Sequence, residues 1–267
     1  MTASHPIGIF DSGIGGLTVA AAITNALPHE NMIYFGDTAH LPYGDKSAAA
    51  IQSYAVKIAD FLLQQHCKLI VIACYSATSV ASELVKNHIA DKAIVVDVID
   101  PMVHHLHTHH PNQRIGLIGT RHTIHSNVYR QKLNSDLDLR CLPTHLLASA
   151  IEEFHNQPVI DSLLDEYLSR PDLDNIDALV LACTHYPIIK TRIQHYYAMR
   201  HQATEVVDPS HIIAHTVKDR LKEANLLNTA PQPKHHFYLS DYTESFALNA
   251  RTFFSDEIAI EHYPLWD

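Results

Sequence analysis

Two apolar runs in this chain end the same way, on Ala-Cys followed by small hydroxyl-bearing or polar residues. They are LIVIACYSATS, from Leu69 to Ser79, and LVLACTHYPI, from Leu179 to Ile188. Each run is short, unbroken and β-rich, the pattern of a strand buried on both faces of a parallel sheet. Each cysteine then falls where a strand stops and a turn begins, the usual place for chemistry in an open α/β sheet. Both runs are preceded by a strand–turn–helix opening, IGIFDSGIGGLTVAAAITNAL from Ile7 and RIGLIGTRHTIHSNVYRQKL from Arg114. Gly8 lies 66 positions before Cys74, and Gly116 lies 67 before Cys183. Matching offsets imply an internal duplication, two α/β units that each contribute one cysteine.

The segments between these landmarks keep the strand–helix alternation. SAAAIQSYAVKIADFLLQQH carries apolar residues at helical spacing behind a Ser47 N-cap. AIVVDVIDP, from Ala93, reads as a buried strand stopped by Pro101. The first opening predicts a strand over 7–10 and a helix from Gly16 or Leu17 toward Leu27; the second predicts a strand over 115–118 and a helix from about Thr123. SLLDEYLSR and HIIAHTVKDRLKEANL read as amphipathic helices, and HHFYLSDYTESFALNARTFFS as a short strand and a helix. NTAPQPKHH, from Asn228, is the one linker-like loop. The expected architecture is α/β, with two pseudo-symmetric, doubly wound parallel-sheet domains and an active site in the cleft between them. The duplication places one unit near residues 1–97 and the other near 98–207.

Composition narrows the function classes. Of the 267 residues, 46% are hydrophobic and 18% charged, an ordinary globular balance. A formal net charge of -10, with no Lys/Arg-rich stretch, argues against a nucleic-acid partner. Neither a signal-peptide pattern nor a bilayer-spanning apolar run is present, so a cytoplasmic, membrane-free protein is expected. Four cysteines in a chain this long read as free thiols rather than a secreted disulfide framework.

DSGIGG, at residues 11–16, is a glycine-rich turn but not GxGxxG, so a dinucleotide fingerprint fits poorly. It is either a tight turn whose aspartate caps the helix, or a cradle of N–H groups that sets Asp11 beside a reacting group. YFGDTAHLPYGDKS, from Tyr34, reads by itself as a surface loop, although Pro42-Tyr43-Gly44 offers a rigid turn whose N–H groups can face a ligand. A single buried cysteine is usually a small hydrophobe; two at equivalent strand ends point instead to thiols near helix N-termini, which favour thiolate. His185 can hydrogen-bond or protonate a neighbour of Cys183, and Asp11 can do the same for Cys74. The histidines of MVHHLHTHHP (His104, His105, His107, His109 and His110) read as an exposed helix or loop of biased composition rather than a metal site. No lysine adjoins either cysteine motif and no P-loop occurs, so no cofactor is expected and side chains alone must carry the chemistry.

Taken together, IGIFDSGIGGLTV, YFGDTAHLPYGDKS, ACYSATS, IGLIGTRHTIHSNVY and ACTHYPII resemble the glutamate racemase branch of the aspartate/glutamate racemase superfamily, in order and over almost the whole chain. The resemblance implies cofactor-independent racemisation of glutamate, an isomerase reaction supplying D-glutamate for peptidoglycan and so for cell shape. It implies that Cys74 takes the α-proton from D-glutamate and Cys183 from L-glutamate, assisted by Asp11 and His185. By the same resemblance Asp11, Ser12, Tyr43, Gly44, Tyr75, Ser76, Thr184 and His185 line the substrate cradle, with Asp37 and Glu152 as supporting acids. It further implies that residues 208–267 return to pack on the first unit; a homodimer is carried as a further expectation.

Three positions depart from the family pattern. Tyr75 replaces a compact amide beside the first cysteine, Phe154 a glycine, and Pro209 in VVDPS a serine. Tyr75 therefore keeps two alternatives open: a related racemase acting on another amino acid such as aspartate, or a paralogue that binds an amino acid without turning it over. A dithiol redox role for Cys74 and Cys183 is a further alternative.

Overall fold

Strand β1 (Ile7–Asp11) runs into the glycine turn and helix α1 (Leu17–Ala26), and β2 (Met32–Gly36) follows. The computed structural model describes residues 1–133, 137–153, 157–242, 244–254 and 258–266. Helix α2 (Ala48–Gln64) opens where expected, with Ser47 Oγ accepting from the Ala50 N–H at 3.2 Å. Then come β3 (Leu69–Ile72), α3 (Tyr75–Ile89), β4 (Ile94–Asp97) and α4 (Asp100–His109). The second unit repeats the sequence with β5 (Arg114–Gly119), α5 (Arg121–His125), α6 (Val128–Lys132) and β6 (Asp138–Pro143). It continues through α7 (Leu147–Glu153), α8 (Gln157–Leu168), β7 (Ala178–Ala182), α9 (Lys190–Met199) and β8 (Glu205–Val207). Helix α10 (Pro209–Glu223), β9 (His235–Leu239), α11 (Glu244–Phe253) and β10 (Ile260–His262) complete the chain.

Among the described residues the strands form two all-parallel sheets, ordered β10-β9-β2-β1-β3-β4 and β6-β5-β7-β8. The central order of the first sheet, β2-β1-β3-β4, is the order of the second, so the duplication read from spacing is present in the topology. Registers agree as well: Gly8 lies opposite Ile70 and Gly116 opposite Leu179. Alternate strand residues face opposite sides. Ile7, Ile9, Leu69 and Val71 of the first sheet therefore join Ile115, Leu117 and Val180 of the second, with residues of α1 and α10, in one inner apolar cluster. Phe10, Ile70 and Ile72 face the opposite way, under α2 and α3, while Ile118, Leu179 and Leu181 pack under α7, α8 and α9.

Several local readings are corrected. Strand β4 stops at Asp97, short of Pro101, because Asp97 Oδ1 accepts from the N–H groups of Ile99 and Asp100, both at 2.9 Å, and turns the chain. Pro101 instead sits in the first turn of α4, where its missing N–H costs nothing. The helix expected from about Thr123 begins at Arg121, capped by Thr120, and breaks at Asn127, which adopts φ 55° before α6. The segment read as a surface loop after β2 holds two short 3-10 turns, Thr38–His40 and Tyr43–Asp45, with Asp37 and Tyr43 buried. Strand β10 carries no strong apolar pattern and was not foreseen. The histidine tract lies largely on α4, with His110 buried and hydrogen-bonded to Gln113.

A buried ion pair fastens the lower edge of the first unit. Lys68 Nζ meets Glu30 Oε2 at 2.5 Å and donates to the carbonyls of Ala3 and Leu226, while Glu30 Oε1 accepts from the Asn228 N–H at 2.8 Å. The pair ties the amino terminus, the start of β3 and the exit of α10. Removing one member leaves a buried charge unmatched, which typically costs about 3–5 kcal/mol. Glu30→Ala is expected to lose that much in urea unfolding, and a loss under about 1 kcal/mol would contradict this view of the pair.

Candidate active site

Strand order reverses at β1 in the first sheet and at β5 in the second, and in α/β sheets the crevice beyond the strand ends at such a point holds the ligand. Asp11 ends β1, with Ser12 just beyond it and Cys74 beyond β3; beyond β5 and β7 lie Thr120, Cys183 and Thr184. The two crevices open into one cavity of about 590 Å³, its mouth included, and both Cys74 and Cys183 line it. Ser12, Tyr43, Gly44, Tyr75, Ser76 and Thr184 line it too, as do Glu152 and His185. Asp11 and Asp37 sit behind the wall, fully buried.

The first thiol occupies the N-cap position of α3, where its Sγ donates to Ser12 Oγ at 3.8 Å. Burial, foremost, and the charge of Asp11 push the Cys74 thiol well above its ordinary value; the Ala77 N–H and Ser12 oppose this only in part. The helix N-terminus favours thiolate here as the sequence reading expects, through the Ala77 N–H, but desolvation outweighs it. Asp11 does not hydrogen-bond the sulfur. Its Oδ2 accepts from the N–H groups of Gly16 at 2.8 Å and Gly13 at 3.3 Å, folding the glycine turn back on itself, and its Oδ1 has no partner among the described residues. Burial raises the Asp11 pKa, with His185 pulling the other way.

The second thiol faces a relay. Cys183 Sγ lies 3.8 Å from His185 Nδ1, and His185 Nε2 lies 3.0 Å from Glu152 Oε2. Burial by itself lowers an imidazole pKa, but the hydrogen bonds and charges of Cys183 and Glu152 hold His185 well above its ordinary range. Glu152 reaches this position from α7, in the same stretch as Phe154, which lies outside the described residues.

The start of α1 closes over this relay. A Cβ on Gly15 would come within 2.6 Å of His185 Nδ1 and also strike Thr184 Oγ1, so a side chain at this position displaces the imidazole. Thr18 Oγ1 crosses between the units to the Thr184 carbonyl at 3.1 Å.

The remaining predicted residues take less direct places. Tyr75 lines the cavity but also belongs to the inner apolar cluster. Its hydroxyl and that of Tyr129 are buried close enough to interact electrostatically, yet neither reaches the geometry of a formed hydrogen bond to any described residue. Pro209 serves as the first residue of α10 behind the Asp208 cap.

Thr120 and Arg121 also line the cavity and were not singled out. Thr120 meets Ser76 Oγ at 2.9 Å across the cleft. The repeat offers the signal for it, since Thr120 follows β5 as Ser12 follows β1. His145, at the mouth, has no such sequence mark.

This arrangement can hold a small polar molecule between two thiols of unequal environment, one beside a hydroxyl and one beside an imidazole. The described residues contain no cluster of three or more His, Cys, Asp or Glu suited to a metal ion, and no helix long and apolar enough to cross a membrane.

Comparison with known proteins gives the site its relatives. Residues 17–217 match the Asp/Glu/Hydantoin racemase family. The chain is 38% identical over 242 residues to the glutamate racemase of Syntrophus aciditrophicus, covering 89% of this chain and 88% of that one. A crystal structure of glutamate racemase from Francisella tularensis in complex with D-glutamate superposes with a TM-score of 0.88 at 37% identity, covering 99% of each chain. Isoform RacE1 from Bacillus anthracis gives a TM-score of 0.90 at 28% identity over 97% of this chain and 98% of that one. With a family match over most of its length and relatives this similar, the chain belongs to the Asp/Glu/Hydantoin racemase family.

Proposed function

We propose that this protein is a cofactor-independent glutamate racemase in which Cys74 and Cys183 work from opposite faces of the substrate. The observation that carries the reading is the placement of two thiols, at corresponding strand ends of two repeated units, on one cavity. The Francisella relative, crystallised with D-glutamate, supports an acidic amino acid as the ligand. Supply of D-glutamate for peptidoglycan follows as the role, and residues 1–97 with 208–267, and 98–207, as the two domains.

Racemisation removes the α-proton from one face and returns a proton to the other, so it needs a base and an acid flanking a near-planar carbanion. With D-glutamate, Cys74 as thiolate takes the α-proton while the Cys183 thiol donates one to the opposite face; with L-glutamate the roles reverse. His185 stands against Cys183 as its proton partner and Glu152 steadies the imidazolium. Ser12 is the corresponding neighbour of Cys74. Hydroxyls of Ser76 and Thr184 and the N–H groups around Gly44 supply preorganised dipoles for the developing charge. Asp11 acts from behind, by shaping the turn that carries Ser12.

The ring of Tyr75 in the wall favours one second reading, a related racemase for a shorter acidic amino acid such as aspartate. Circular dichroism with both enantiomers of glutamate and aspartate separates the two. Cys74→Ser and Cys183→Ser are each expected to lose about 10²–10⁴-fold in racemisation, the usual value of a positioned acid or base. A single variant near the wild-type rate would contradict the two-thiol reading, and turnover of aspartate alone would replace the substrate.

The pH dependence has a definite sign. A racemisation has an equilibrium constant of one, so kcat/KM must coincide for both enantiomers at every pH. Because the Cys74 pKa is raised, its thiolate becomes available only as pH rises, which sets an ascending limb. The raised His185 pKa keeps its proton in place to higher pH, and loss of that proton sets a descending limb. Glu152→Gln removes one cause of that elevation, so the descending limb is expected to move to lower pH in pH–rate profiles. An unmoved limb would separate Glu152 from His185. Tyr75→Phe deletes a buried hydroxyl that lies against that of Tyr129 without a formed hydrogen bond, so stability is expected to hold or rise by up to about 1–3 kcal/mol, with kcat/KM retained. A loss of stability in urea unfolding would show that the hydroxyl has a partner after all.

A further inference from the structure

The carboxyl group of Asp37 gathers donors from well-separated parts of the chain. Tyr43 Oη donates to Oδ2 at 2.7 Å, and His40 Nδ1 lies 2.9 Å from the same oxygen. Ser240 Oγ, just beyond β9, donates to Oδ1 at 2.7 Å. The fourth donor is Trp266 Nε1, near the carboxy terminus, 2.8 Å from Oδ1. Asp37 is fully buried and pairs with no lysine or arginine among the described residues, so these donors must offset its desolvation. Of them, Tyr43 alone also lines the cavity between the thiols.

The route by which Trp266 arrives is not required by the sheet. Strand β10 is three residues long and sits at the outer edge. The chain then carries Tyr263, Leu265 and Trp266 onto the apolar cluster beneath α2. There the indole meets His40 edge-on at 4.6 Å and Tyr54 at 5.2 Å, with Lys57 Nζ 4.8 Å over its ring. Tyr54 in turn contacts Tyr43 at 5.7 Å between ring centroids. Both the hydrogen bond and the ring contacts of the indole therefore lead to the same cavity wall.

We propose that Trp266 is a positioning residue for racemisation: by donating to Asp37 it completes the buried bond set that fixes Tyr43, and with it the Pro42–Gly44 wall of the substrate cavity. The carboxy-terminal strap thus acts on the site through Asp37 without touching substrate. The inference rests on the racemase reading, and its test separates the two.

Trp266→Phe keeps an aromatic ring against His40 and Tyr54 but removes the N–H donor; Tyr43→Phe removes the donor at the other end of the bond set. Each variant, shown folded by far-ultraviolet circular dichroism, is expected to lose roughly 5–30-fold in kcat/KM for glutamate, the size of one net hydrogen bond. The double variant is expected to lose no more than the worse single one, because both act through one carboxyl group. Wild-type kcat/KM in Trp266→Phe, or losses that multiply in the double variant, would overturn the proposal. The chain has a single tryptophan, so emission from Trp266 reads the coupling with no substrate present. Tyr43→Phe is expected to shift that emission, and an unchanged spectrum would overturn the proposal on its own. Should the wild-type protein turn over no acidic amino acid, the racemase reading falls and the emission measurement alone decides the strap.

Discussion

The apolar layer shared by the two sheets is the constraint on which the site depends. Ile7, Ile9, Leu69 and Val71 on one side and Ile115, Leu117 and Val180 on the other belong to the same cluster, together with residues of α1 and α10. Burial of such side chains contributes roughly 1.5–3 kcal/mol each, and close packing makes the layer resist deformation. Two strand ends that are 109 positions apart in sequence, at Cys74 and Cys183, are thereby held on one cavity. The cross-cleft bonds from Thr18 to Thr184 and from Ser76 to Thr120 add direction rather than strength. Gly15 shows how little slack remains, since even a methyl group there meets His185.

Within this frame the two halves are alike in topology and unlike in electrostatics. Cys74 faces a hydroxyl in a setting that resists charge, with the carboxyl of Asp11 behind it. Cys183 faces an imidazole whose pKa its own sulfur and Glu152 raise against the effect of burial. A duplicated scaffold supplies the pair of positions, and divergence of a few side chains supplies a different neighbour for each sulfur, Ser12 for Cys74 and His185 for Cys183.

Much of this was legible in the chain itself. The parallel sheets followed from unbroken apolar runs, the duplication from matching glycine-to-cysteine offsets, and the Ser47 cap from its place before a helical pattern. What stayed hidden was fixed by tertiary contact. Asp97 ends β4 with its own side chain, which a pattern aimed at Pro101 does not show. The loop after β2 looked solvated because it is polar, yet Asp37 is buried by donors from Ser240 and Trp266, more than 200 positions away. The pull of the helix N-terminus on Cys74 is readable from its place at the start of α3, but the desolvation that outweighs it is a quantity that spacing does not carry. The membership of Tyr75 in the inner cluster cannot be read from its neighbours in sequence.

The most direct test of the two-thiol account is the fate of the α-proton when D-glutamate is incubated with the protein in deuterium oxide. A thiolate that removes the proton on one face returns the same proton if it reverses, whereas the opposite thiol delivers a solvent-derived deuteron. At early times the L-glutamate formed should carry deuterium at Cα while the remaining D-glutamate stays protiated. Equal deuterium in both enantiomers from the outset would contradict the two-thiol account.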